Sequence, residues 1–142
     1  HSGSQLAAMQ AWVQRQGLSA RVRFVGRLSA AEQAHWYDCA QWYISLPQSD
    51  SVAVSVLEAM AHGCIPLLSD LPANRELVQD RHNGWIVPTA LFDAAHAAAT
   101  THTSVLPALL QDAAHIAAHN RAWVQQHGLF APAVAGLMRA LQ

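Results

Sequence analysis

Two acidic residues eight positions apart, Asp50 and Glu58, lie within the stretch best equipped for chemistry, Pro47-Gln48-Ser49-Asp50-Ser51-Val52-Ala53-Val54-Ser55-Val56-Leu57-Glu58-Ala59-Met60-Ala61-His62-Gly63. Ahead of it, Trp42-Tyr43-Ile44-Ser45-Leu46 is aromatic and β-branched and reads as a strand that Pro47 stops. Behind a turn of small residues, a helix is expected from about Val54 to His62, ended by Gly63. Small side chains let a ligand approach the backbone. The first turn of a helix offers unpaired N–H groups at the positive end of its dipole, which suits a phosphate. Carboxylates at the turn and about a turn into the helix can accept hydrogen bonds from hydroxyls. A phosphate on amides, flanked by hydroxyls on carboxylates, describes a nucleotide-sugar well.

The elements that must position this stretch alternate in type. Ser4 to Gln16 predicts an amphipathic helix with Leu6, Met9, Trp12 and Val13 on its apolar side, ended by Gly17. Val22-Arg23-Phe24-Val25 predicts a short strand, followed by Gly26. Ser29 with Glu32 three residues on is a capping box for a helix to about Cys39, with Trp36 and Tyr37 near its buried side. Ile65 to Leu68 reads as a buried strand, Asn74 to Gln79 as a short helix, and Gly84 to Val87 as a strand ended by Pro88. Helices alone follow, about Leu91 to Ala99, Pro107 to Gln126 and Phe130 to Leu141. Strand and helix in alternation predict an α/β fold with a mostly parallel sheet and helices on both faces. Ligands of such folds bind outside the carboxyl ends of the strands, here the loops after Val25, Leu46, Leu68 and Val87.

Composition narrows the classes. Of 142 residues 52% are hydrophobic and 12% charged, against the low-hydrophobicity, high-charge signature of disorder. The eight positive residues are all Arg, there is no Lys, and the formal net charge is −1, so the basic surplus a general nucleic-acid binder needs is missing. No apolar run reaches the roughly 18 residues of a membrane span, and no signal peptide opens the chain. Cys39 and Cys64 are too few for a disulfide scaffold and read as two reduced, partly buried thiols of a cytoplasmic protein.

The central stretch resembles a known family, the carboxyl-terminal donor-binding domain of retaining, bacterial-type glycosyltransferases of family 4 with the two-Rossmann-domain GT-B fold. The resemblance rests on Leu57-Glu58-Ala59-Met60-Ala61-His62-Gly63-Cys64-Ile65-Pro66, continued by Ser69-Asp70-Leu71-Pro72-Ala73-Asn74-Arg75-Glu76 and by Asn83-Gly84-Trp85-Ile86-Val87-Pro88. Upstream, Arg21-Val22-Arg23-Phe24-Val25-Gly26-Arg27-Leu28-Ser29 is similar to the family's third strand and its loop. The likeness is close over roughly residues 17 to 90 and loose beyond. It implies a Rossmann-like three-layer α/β/α domain with a helical carboxyl-terminal tail. It also implies transfer of a sugar, hexose-like, from a nucleoside diphosphate donor with retained anomeric configuration and no essential metal or other cofactor. Glu58 falls at the family's second Glu, which bonds the ribose hydroxyls, and Asp50 at its first, which contacts the donor sugar. The resemblance makes Asp50 and Glu58 the catalytic candidates. It makes Ser51, Val52, Ala53, Val54 and Ser55 substrate-binding, with the diphosphate on the amides of about Ala53 to Val56, and gives the base to the loop Gly26-Arg27-Leu28-Ser29.

Two departures stand out. Asp at position 50 is one methylene shorter than the family's Glu. The family's basic Arg-Lys pair has no counterpart in a chain without Lys and with no Arg before Arg15. The first two strands of the domain and the acceptor-binding amino-terminal domain also have no counterpart here. The 142 residues are therefore expected to be a single partial domain of a larger enzyme, inactive and marginally stable alone. Its acceptor (a saccharide, lipid or protein) and any peripheral membrane contact would be handled by parts outside this sequence. An inactive nucleotide-sugar-binding or scaffold module with the same fold is the alternative reading. A nucleotide-sugar epimerase is a third, and the absence of Gly-x-Gly-x-x-Gly argues against a dinucleotide binder.

Other residues have plainer readings. Glu76 is as well explained by the helix dipole as by function, and Arg75 as a surface ion-pair residue. His115 and His119 are four apart, but residue 116 is Ile and no third ligand is evident, so no metal site is expected. His62 suits a helix carboxyl end. Trp12, Trp36, Trp42, Trp85 and Trp123 read mostly as core, and the cysteines lack a sequence-adjacent His or basic partner.

Overall fold

The computed structural model describes residues 2–47, 49, 54–88 and 105–127. These residues fall into two compact units, His1–Glu32 and Gln33–Gln142. The amino-terminal unit holds helix α1, Ser2–Arg15. Gly17, at φ 68°, ends it: Leu18 N–H bonds the Val13 carbonyl and Gly17 N–H that of Gln14, a Schellman closure. Val13 is buried, but Leu6, Met9 and Trp12 are 46%, 58% and 50% exposed, so the apolar stripe expected to be core is largely solvent-facing. The expected strand at Val22–Val25 is absent: no ladder reaches it among the described residues, and a strand without a paired neighbour is only extended chain. Helix α2, Ala30–Cys39, starts as expected. Glu32 Oε2 accepts from both the backbone N–H (2.8 Å) and the hydroxyl (2.7 Å) of Ser29, and these bonds hold its carboxyl below the usual range.

The second unit is built on a parallel sheet, β1 (Trp42–Ser45), β2 (Ile65–Ser69) and β3 (Trp85–Val87), in the order β1-β2-β3. Ile44 pairs with Leu67 and Leu68 with Ile86 in register. Between strands come α3 (Val54–Ala61) and α4 (Pro72–Leu77), and after β3 come α5 (Val105–Gln111) and α6 (Ala113–His127). Alternation sorts the strand side chains onto two faces. Ile65, Leu67, Trp85 and Val87 pack with Leu109 of α5 and Ile116 of α6, whereas Leu68 and Ile86 pack with Val56 and Met60 of α3 and Leu77 of α4. Helices thus cover both faces, as the parallel, Rossmann-like α/β expectation requires, and all five residues of β2 are buried.

Several boundaries differ from expectation. The single helix foreseen over Pro107–Gln126 is two, interrupted at Asp112. Pro107 is accommodated because it falls in the first turn of α5, where its missing N–H costs nothing. Trp85 is buried, and Trp42 and Trp123 are partly so, but Trp12 and Trp36 are 50% and 38% exposed rather than core. Cys39 is exposed rather than partly buried, and His35 Nε2 stands 3.8 Å from its sulfur one helical turn back. The helices expected at Leu91–Ala99 and Phe130–Leu141 lie outside the described residues.

Candidate functional site

In parallel strands the carboxyl ends share one edge, and at that edge the chain leaves β1 at Ser45 and enters α3 at Val54. Helix α3 is secured at its far end. Gly63, at φ 88°, allows a Schellman closure in which Cys64 N–H bonds the Ala59 carbonyl and Gly63 N–H that of Met60. Arg121 of α6 donates to the His62 carbonyl at 3.3 Å. His62 itself pairs through Nδ1 with Asp38 at 2.7 Å, so a carboxylate 24 positions away, in addition to the helix end, accounts for it. Cys64 is fully buried and its thiol donates to the Tyr37 carbonyl at 3.3 Å, and burial pushes its pKa up.

The start of α3 is held from the sheet. The Tyr43 hydroxyl on β1 donates to Ser55 Oγ at 2.8 Å, which fixes a hydroxyl in the helix's first turn. Tyr43 packs edge-on against Tyr37, with ring centroids 5.9 Å apart, and Gln33 donates to the Tyr37 hydroxyl at 2.5 Å. Burial raises the Tyr37 pKa, with a smaller rise from Tyr43 and the Glu58 charge. Glu58 is exposed on the second turn of α3, while Val56, Ala59 and Met60 on its other side are buried. The helix therefore anchors through one face and leaves its carboxylate open to solvent.

At the same edge, β2 runs into a second turn. The Asn74 side chain, 6% exposed, donates to the Ser69 carbonyl at 2.9 Å and closes the turn into α4. Arg75 grips Asp70 with two bonds, Nε to Oδ1 at 2.6 Å and a second guanidinium nitrogen to Oδ2 at 2.8 Å. Arg75 holds the Asp70 carboxyl below its usual range and is itself raised. This confirms the ion-pair reading of Arg75. Glu76 is exposed beside it.

The structure thus brings Ser55 and Glu58 together on one short helix, with Val54 exposed at its first position. Asp50, Ser51, Val52 and Ala53 lie outside the described residues. Arg27 and Leu28 belong to the amino-terminal unit, in the bend between Gly26, at φ 67°, and the Ser29 cap. The partners of two residues escaped the sequence. The Tyr43–Ser55 bond joins residues 12 positions apart with no motif between them, and the Asp70–Arg75 clasp had a signal only in its opposite charges five residues apart.

A parallel α/β sheet with covered faces, and a helix entered from the carboxyl end of a strand, define the class of folds that bind ligands at that edge. Residues 2–103 match the family model described as "Glycosyl transferases group 1", so the chain belongs to that family and is a glycosyltransferase domain, whose general chemistry is sugar transfer. No curated protein matches the chain. Among the described residues no helix is long and apolar enough to cross a membrane.

Proposed function

We propose that this chain is the donor-binding part of a retaining, family 4-type glycosyltransferase of GT-B architecture that uses a nucleoside diphosphate sugar. The observation that carries the reading is the placement of Glu58. It is exposed on a helix that enters from the carboxyl end of β1 and whose opposite face is locked into the core. There a carboxylate can accept the paired hydroxyls of a ribose. The amides of about Ala53 to Val56 would receive the diphosphate at the helix's positive end, and Asp50 would face the donor sugar. The loop with Arg27 and Leu28 would meet the base. As the glycosidic bond breaks, charge grows on the leaving diphosphate while the sugar becomes oxocarbenium-like. Backbone donors at the start of the helix would stabilise that leaving group, and the transfer is expected to proceed without an essential metal. The acceptor would bind to a further domain, and the two free thiols fit a cytoplasmic setting.

The test is turnover of the full-length protein with a nucleotide-sugar panel and candidate acceptors, with the product anomer read by NMR. Retained configuration is expected. An inverted product contradicts the retaining assignment, and donor bound but never transferred or hydrolysed favours an inactive binding module.

A further inference from the structure

Helix α3 is held differently along its length. Its middle is gripped by the core, with Val56 2% exposed and Ala59 and Met60 fully buried. Its far end is closed by Gly63 and by the Arg121 bond to the His62 carbonyl. The core grips its start less: Val54, the first helical residue, is 49% exposed, and full burial begins only at Val56. Between them stands Ser55, half-buried, whose Oγ accepts from the Tyr43 hydroxyl at 2.8 Å. Tyr43 is a fixed post for that bond. It pairs with Pro66 in the register of β1 and β2. Its ring packs against the core around Met60 and against the smaller cluster of Tyr37, Ala59 and Cys64. The Tyr37 ring meets it edge-on at 5.9 Å and is itself held by Gln33. A tyrosine has few side-chain torsions, so a ring packed on these sides carries its hydroxyl to one place.

We propose that Tyr43 is a positioning residue for the donor diphosphate: its bond to Ser55 holds the first turn of α3, so that the N–H groups of that turn are aimed before the ligand arrives. The inference rests on the donor-site reading above, which family membership supports independently of this bond. The N–H groups of a first helical turn have no partners within the helix, and they bind an anion only as well as they converge on it. A turn that must be ordered at the moment of binding gives up part of its affinity, and a tethered turn keeps it. Tyr43 acts through Ser55 and not by contact with the ligand. Its effect is confined to the phosphates. Glu58, which would take the ribose, lies on the second turn, where Ala59 and Met60 already fix the helix. Loss of the tether is therefore felt by the diphosphate and not by the nucleoside.

The test measures binding of UDP, GDP, ADP, CDP and dTDP to the full-length protein by calorimetry, and of the nucleoside of whichever binds by displacement. Wild type is compared with Tyr43→Phe, Ser55→Ala and the double variant. Tyr43→Phe removes the hydroxyl and keeps the packed ring, so an unchanged far-UV circular dichroism spectrum is expected; should it change, Ser55→Ala supplies the same comparison from the helix side. The diphosphate is expected to bind either single variant about threefold to tenfold more weakly, the scale of one hydrogen bond. The nucleoside is expected to bind Tyr43→Phe as it binds wild type. The double variant should lose no more than the single ones, because both substitutions break the same bond. Equal affinity of Tyr43→Phe and wild type for the diphosphate overturns the positioning role and leaves the donor site standing. An equal loss for nucleoside and diphosphate, the mark of a general structural effect, overturns it too, as do losses that multiply in the double variant. Binding of no diphosphate by wild type removes the donor-site reading itself, and this inference with it.

Discussion

At the residue scale the clearest contrast is between the two thiols. Cys39 is exposed at the end of α2, whereas Cys64 is fully buried, donates to the Tyr37 carbonyl, and has its pKa raised by burial. A thiolate is the reacting form, so iodoacetamide is expected to modify one cysteine in the native protein and both in denaturant, as counted by intact mass. Rapid native labelling of Cys64 would contradict its packing. Sequence could not separate these residues, because both sit in apolar-rich surroundings and which thiol is covered depends on packing between distant elements. Glu58 is the opposite case. Its place within Leu57-Glu58-Ala59-Met60, after a strand and on a helix, was legible from local pattern alone. The Tyr43 hydroxyl that fixes Ser55, and the His82 ring beside His119, were not, since each depends on which strands and helices meet.

Elements were legible where a local signal and the core agreed. The capping box at Ser29 and the glycine ends at Gly17 and Gly63 all formed as foreseen. Val22–Val25 had strand-like residues but no ladder among the described residues, and the apolar stripe of α1 had the right period but no burial at Leu6, Met9 and Trp12. Periodicity reports what could be buried, and only packing decides what is. The join between β2 and β3 is the tightest point of the sheet. A Cβ built on Gly84 would lie 2.5 Å from the Pro66 carbonyl oxygen and 2.8 Å from the Pro66 ring. The blocking atoms are backbone and a fixed ring, so relief requires β3 to shift. Gly84→Ala is expected to destabilise by about 1–3 kcal/mol, the usual range for overpacking, read from the urea midpoint at unchanged slope. A neutral result would contradict the close approach.

For the whole molecule, stability should depend on pH in a direction set by the shifted groups. Asp70, bonded by Arg75, and Glu32, bonded by Ser29, have lowered pKa values, so their contribution is present above the ordinary carboxylate range, about pH 4, and fades as pH falls through the lowered values. The raised Cys64 pKa acts oppositely: its contribution is present below the thiol's ordinary value, about pH 8.5, and fades as pH rises through the raised one. Urea midpoints are expected to decline on both sides of neutrality, and Asp70→Asn should flatten the acid side. An acid side unchanged in Asp70→Asn would remove the Arg75 clasp as a cause. The central claim concerns the carboxyl edge of the sheet, and titration of the full-length protein with a panel of nucleoside diphosphates, wild type against Glu58→Ala, tests it most directly. At least one nucleotide is expected to bind, with Glu58→Ala weakening it about tenfold or more, the scale of hydrogen bonds to a charged group. Absence of binding by any member of the panel, or equal affinity in the variant, would contradict the donor site.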